Sequence, residues 1–182
     1  IKNDLGLADW QLGLLTGLAF AALYTIFGIP IALLADRSNR AAIISGSLAF
    51  WSVFTAVCGF VQNFAQLLLA RLAVGLGEAG CQPPSLSLIT DYAAKDKRSS
   101  TLAFYSLGIP AGSLVALALG GVMADAFGWR TAFLLAGVPG ILLAVVAFLT
   151  LKDPRGHKTS DRPKPPAVRH TLAELRRNPV FW

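Results

Sequence analysis

Leu34-Ala35-Asp36-Arg37-Ser38-Asn39-Arg40 is a burst of charge only a few residues wide, set between two long apolar runs. Charge is expensive in hydrocarbon. A chain that leaves one apolar run and enters another therefore reverses only where water and lipid headgroups solvate Asp36, Arg37 and Arg40. The stretch reads as a tight turn at a membrane surface joining two spans. Working outward, the apolar segments 12–35, 41–60, 64–89, 101–127 and 131–151 are all long enough to qualify as spans, since crossing about 30 Å of hydrocarbon takes about 20 mostly apolar residues. The runs are continuous rather than alternating, and each is about twice the length of a membrane strand, which disfavours a barrel. The expected fold class is all-α, a polytopic membrane helical bundle with five transmembrane helices occupying 1–151. The Pro-rich, charged stretch 152–170 is expected to be a disordered cytoplasmic linker, because it holds too little apolar surface to fold. Thr171 and Glu174 have capping-box spacing, so 171–182 is expected to be a short surface helix leading toward a further span.

Composition points the same way. Of 182 residues, 54% are hydrophobic and 14% charged, with a mean hydropathy of +0.58, more apolar than the core of a soluble domain requires. The net charge of +6 is not gathered on one face as nucleic-acid binding demands. It sorts by connection instead. The first turn carries Arg37 and Arg40, the 61–63 connection has no basic residue, and 91–100 carries Lys95, Lys97 and Arg98. The 125–130 connection then has Arg130 alone, and the tail is rich in Lys and Arg. Every second connection is basic, so the positive-inside rule places those in the cytoplasm, the start of the chain outside and the tail inside. The expectation is a multi-pass protein of the plasma (inner) membrane. The chain opens with Ile1 rather than Met and shows no signal peptide, and both ends read as cut from something longer. Cys58 and Cys81 fall inside spans, where buried thiols are expected and a disulfide framework is not.

Within the third span, Arg71 and Glu78 are the deepest charges, each costing about 2.5 to 3.5 kcal/mol at a helix centre on insertion scales. Seven residues make two turns, so the two share a face about 10 Å apart along the axis. Gly75 lies between them, and Gln82 and Ser85 continue the polar stripe. Such a stripe either lines a water-filled path for a charged solute or a proton, or pairs with other helices as a structural ion pair. Pro83 and Pro84 bend the helix where the stripe continues. Trp10 and Trp129 sit at the outer span ends as interface anchors. Toward the cytoplasm, Asp36, Arg37, Arg40, Asp91 and Arg98 form either a gate that latches helix ends together or a simple topological anchor. Gly108, Gly112, Ala116 and Gly120 recur every four residues, forming a small-residue groove that serves helix packing or a flexing surface. His157 and His170 both lie in the tail, no Cys or His spacing suits a metal, and no Gly-rich phosphate loop is present. No enzymatic activity and no cofactor are expected.

Several of these stretches resemble the amino-terminal half of a major facilitator superfamily transporter, and most closely its spinster-like branch. Residues 32–40 resemble the superfamily's signature between helices two and three, with Ala32 and Asn39 standing where glycines are usual. Arg71, Gly75, Gly77, Glu78 and Ala79 are similar to the helix-four motif, Gly108-Ile109-Pro110-Ala111-Gly112 to the helix-five motif, and Gly128-Trp129-Arg130 to the outer turn before helix six. The resemblance implies a partial major facilitator fold holding helices two to six. Helix one and the carboxy-terminal six-helix half are then missing partners. It further implies alternating access, with Arg71, Glu78 and Gln82 in substrate binding or proton coupling and the charged inner residues closing the cytoplasmic side. The expected function is secondary, proton-coupled transport of an amphipathic or organic anionic solute, a lysolipid-like one favoured. The alternatives are multidrug efflux, carboxylate or sugar-acid import, or a scaffold or channel subunit that transports nothing itself.

Overall fold

The computed structural model describes residues 1–155, except the side chains of Thr16, Leu18, Ala19, Phe20, Ala22, Asp36 and Arg37. The expected linker beyond 155 and the helix expected over 171–182 lie outside the described residues. Everything described is helix or short connection, with no strand. A short helix α1 (Lys2–Leu5) closes on Gly6, whose left-handed backbone (φ 61) turns the chain into α2 (Asp9–Gly13). One wide π turn (Leu14–Leu18) then leads without a break into α3 (Ala19–Arg37).

The charged turn is as tight as its sequence implies. The Asn39 side chain accepts from the Ala42 amide at 3.2 Å and caps α4 (Arg40–Val57), which explains an asparagine at that position: it satisfies an amide that has no partner inside the helix. After a 3₁₀ turn (Cys58–Phe60), Asn63 caps α5 (Phe64–Ala79) in the same way, accepting from Gln66 at 3.0 Å. The expected proline bend is a real interruption. The Gly80 and Cys81 amides bond back only three residues, to Gly77 (3.1 Å) and Glu78 (3.0 Å), and α6 (Gln82–Tyr92) restarts with its prolines in the first turn. There a missing N–H has no helical partner to lose. Next come α7 (Arg98–Ser106) and α8 (Gly108–Phe127), and Gly128 (φ 81) makes the turn into α9 (Trp129–Thr150).

Among the described residues, Arg40–Phe60, Phe64–Tyr92, Arg98–Phe127 and Trp129–Thr150 are long and apolar enough to cross a membrane. The first expected span contributes the shorter apolar helix Leu23–Ala35, embedded in the helical run that begins at Asp9. Helix α4 is the hub, packed most closely on α9 and then on α5, with α3 against α5 and α8 against α9. Close approach of α4 to α9 and to α5 depends on glycine. A Cβ at Gly137 would lie 2.7 Å from the Ser52 carbonyl oxygen, and one at Gly77 would lie 2.8 Å from the Trp51 Cβ.

Of the stripe Gly108, Gly112, Ala116 and Gly120, expected to serve helix packing or a flexing surface, the glycines meet no other helix among the described residues. A Cβ at any of the three glycines would meet nothing within 4 Å, and none of the apolar stretch of Arg98–Phe127 is buried. A small-residue repeat shows which face allows close approach, not whether a neighbour occupies it. Two ends of the bundle can be named by their arginines. The Arg40 end holds the α3–α4 turn and residues 151–155, and the Arg130 end holds α1, the 61–63 connection and Gly128.

Candidate functional site

Helix α5 carries both intramembrane charges, and the structure gives them different surroundings. The Arg71 guanidinium lies over the Phe133 ring of α9, 5.1 Å from its centroid, and makes no salt bridge among the described residues. Glu78, two turns on, borders a cleft of about 530 Å³ between α4, α5 and α8. Trp51, Thr55, Val74 and Ser113 share its wall with Gly108, Gly112 and Ala116. The small-residue face of α8 thus lines a space instead of seating a helix of this chain. Arg71 and Glu78 do not pair with each other. Gln82, the third residue of the stripe, accepts a hydrogen bond from the Tyr24 hydroxyl and so links α6 to α3.

At the Arg40 end the sequence identified one half of a charge cluster. Arg40 is 1% exposed, the largest of the fully buried side chains described. Its Nη2 reaches Asp91 Oδ2 at 2.5 Å, as expected of an inner latch, and Nη1 donates to Ser87 Oγ at 2.8 Å. The main counter-charge is Asp153. The Arg40 amide and Nε both donate to Asp153 Oδ2, at 3.0 and 3.2 Å, and Nη2 donates to Oδ1 at 2.8 Å. Burial alone would raise the Asp153 pKa. The hydrogen bonds from Arg40 and Arg155 outweigh it and hold the carboxyl well below the usual carboxylate range. Arg155 also donates to the Ala35 carbonyl at 3.2 Å, and the Tyr92 hydroxyl donates to the Lys152 carbonyl.

Arg98 plays no part in this latch among the described residues: it is exposed at the start of α7 and makes no salt bridge. The Asp36 and Arg37 side chains lie outside the described residues. Asp153 and Arg155 were missed because they sit in a Pro-containing, charged stretch that reads as the beginning of a linker. The available signal was position: an Asp two residues past the last apolar turn of a span is within reach of a buried arginine at the same membrane face.

At the opposite end, Asp4 forms a salt bridge with Arg130 and accepts from Trp129 Nε1 at 3.1 Å. Hydrogen bonds from Arg130 first and Trp129 second lower the Asp4 pKa. Arg130 also donates to the Val61 carbonyl at 3.3 Å and lies 4.3 Å from the Trp129 ring centroid. Beneath this clasp, Leu7 is buried with Leu15, Cys58, Val61, Leu67 and Ala70, and Trp129 and Phe133 pack against them.

Comparison with known proteins gives this geometry a lineage. The family model described as Major Facilitator Superfamily matches residues 1–182. An MFS-type efflux pump of Mycolicibacterium smegmatis is 36% identical over 151 residues, 83% of this chain and 35% of that protein. Protein spinster homolog 1 of Bos taurus is 33% identical over 189 residues, covering 100% of this chain and 36% of that protein. The crystal structure of a bacterial homolog to the human lysosomal transporter Spinster, inward-facing and unoccupied, superposes with a TM-score of 0.79 at 36% identity. That match covers 100% of this chain and 44% of that one. The chain thus spans about a third of the length of the curated relatives it matches.

Proposed function

Since the chain belongs to the Major Facilitator Superfamily and is similar to its spinster-like members, we propose that it forms part of a secondary active transporter. In this reading the protein works by alternating access, with two helical halves rocking about a central site. The observation that carries the proposal is Arg71: a guanidinium about two turns inside a membrane-spanning helix, resting on an aromatic ring, with no carboxylate partner among the described residues. A charge at that depth is tolerated where it faces a bundle interior or a water-filled path, and such charges serve transport. Arg71 attracts the anionic group of the solute. Glu78, on the cleft wall, takes up and releases the coupling proton, and Gln82 extends the polar path.

The solute is an amphipathic organic anion of lysolipid type. The path is completed by parts of the protein outside this chain. The Arg40 end faces the cytoplasm, in keeping with the basic connections there, and the Arg40, Asp91 and Asp153 cluster closes that side in the outward-open state. The membrane is the plasma (inner) membrane.

The test uses the full-length protein in proteoliposomes, with lysophosphatidylglycerol as the anionic probe and lysophosphatidylcholine as its zwitterionic counterpart. Glu78→Gln is expected to abolish proton-driven uptake while leaving membrane insertion intact, and Arg71→Gln to remove the preference for the anionic probe. Uptake that stays proton-driven in Glu78→Gln overturns the coupling role. A second reading, export of drug-like compounds, is favoured by the similarity to the M. smegmatis efflux pump. It predicts extrusion of a fluorescent organic dye from cells, lost in the same Glu78→Gln variant.

A further inference from the structure

Between Arg71 and the Arg130 end runs an unbroken column of aromatic and charged contacts. The Arg71 guanidinium sits over the Phe133 ring at 5.1 Å. Phe133 meets the Trp129 ring edge-on, with centroids 6.1 Å apart and planes at 90°. Trp129 in turn donates its indole N–H to Asp4 at 3.1 Å, and Asp4 is salt-bridged to Arg130. Trp129 and Phe133 are one helical turn apart on α9, so their edge-on contact follows from helix geometry once both rings face α5. The column joins three separate parts of the chain: α1, the start of α9 and the middle of α5.

Among the described residues, the contact that holds the Arg71 guanidinium is the Phe133 ring. A ring face does this through its quadrupole without neutralising the charge. That distinction matters for a group that must stay attractive to an anion. Phe133 orients the Arg71 guanidinium through its ring face and leaves the N–H donors available. The ring is itself held from the side by Trp129, whose indole is fixed by Asp4. Asp4 belongs to a segment with little else to anchor it beyond Leu5 and Leu7 in the core below.

We propose that Phe133 is the positioning residue for Arg71, and that the Trp129–Phe133 column, clamped at Asp4, ties the presentation of the intramembrane guanidinium to the fold of the chain at the Arg130 end. The functional importance of this device rests on the reading of Arg71 as the anion-attracting group, but its physical content does not. Movement of α1 away from Trp129 frees the indole, lets the Phe133 ring rotate and releases Arg71 from its fixed direction.

The test is the rate at which phenylglyoxal, an arginine-selective reagent, modifies Arg71 in the full-length protein in proteoliposomes, read by mass spectrometry of the Arg71 peptide. Phe133→Leu keeps an apolar side chain and removes the ring, so Arg71 is expected to react about two- to fivefold faster, the scale of a lost cation–π contact. Phe133→Trp retains a ring and is expected to match the parent. Asp4→Asn, far from Arg71, is expected to accelerate the reaction by a smaller factor. An unchanged rate in Phe133→Leu overturns the positioning role, and an unchanged rate in Asp4→Asn overturns the column. If Phe133→Leu fails to insert, Asp4→Asn and Phe133→Trp still decide the matter, since loss of the parent rate in Phe133→Trp or its persistence in Asp4→Asn each contradicts the proposal. The solute reading is checked separately through the probe preference of Arg71→Gln, so the two can fail independently.

Discussion

Asp153 and Arg40 stand 113 positions apart in the chain and meet through three hydrogen bonds, two from the guanidinium and one from the Arg40 amide. The contact joins the start of one membrane helix to the chain just past the end of another, and both side chains are almost completely out of water, at 1% and 5% exposure.

Removing Asp153 should therefore cost more than removing Asp91. A buried charge that loses its main partner is left uncompensated, and Asp153→Ala is expected to destabilise the protein by about 3 kcal/mol. Asp91 is 41% exposed, and water can replace much of what it offers, so Asp91→Ala should cost about 1 kcal/mol or less. Thermal unfolding of the purified full-length variants measures both, and a larger loss for Asp91→Ala would show that Arg40 is held mainly from α6.

Acid should loosen the same cluster and mild alkali should not. The folded-state pKa of Asp153 is depressed, so its contribution to stability is fully present above the unfolded value of about 3.9 and disappears as pH falls through the folded value. Asp4 is shifted in the same direction. Melting temperature measured against pH should stay flat, as far as these two groups are concerned, from neutral down to about pH 5 and decline below about pH 4. In Asp153→Asn the acid decline should be shallower, and an identical profile would mean the cluster does not contribute to acid sensitivity.

If the cluster also closes the cytoplasmic side, weakening it should change access as well as stability. In a Ser113→Cys background, which places a thiol on the wall of the Glu78 cleft, labelling of that cysteine with a membrane-impermeant reagent from the Arg40 end should proceed faster in Asp153→Asn than in the parent. Equal labelling rates would leave the cluster as a structural anchor only.

Glycines on different helices should respond differently to one added methyl group. Gly137→Ala forces a Cβ against the Ser52 carbonyl oxygen and the Ala56 side chain, and Gly77→Ala forces one against Trp51. Each is expected to cost about 1 to 3 kcal/mol, the range for overpacking a close contact. Gly112→Ala meets no atom of this chain within 4 Å. Comparing Gly112→Ala in the full-length protein with Gly137→Ala by thermal unfolding shows whether another part of the protein occupies the cleft.

Much of the fold was legible because hydrocarbon leaves so few options. The apolar runs gave helices, Asn39 and the charges beside it gave the tight α3–α4 turn, and Pro83 and Pro84 marked the interruption that falls at Gly80 and Cys81. The chemistry was legible only in part. Arg40 and Asp91 were recognisable as partners because both flank spans at one membrane face. Asp153 was not, since local composition says nothing about a partner more than a hundred residues earlier. The glycine stripe shows a related limit: Gly137 and Gly77 pack closely because α4 lies against them, and Gly112 has the same sequence character with no neighbour among the described residues. Phe133 looked like any apolar residue of a span, and its contact with Arg71 depends on how α5 and α9 are placed around α4.

Lys152 to Arg155 leave α9 under restraint, with Tyr92, Ala35 and Arg40 each holding one of them. The segment beyond them begins from an anchored point. A pull on Arg155 would be borne first by the ends of α3 and α4 and by α6, so the exit from the last described helix is braced against three others.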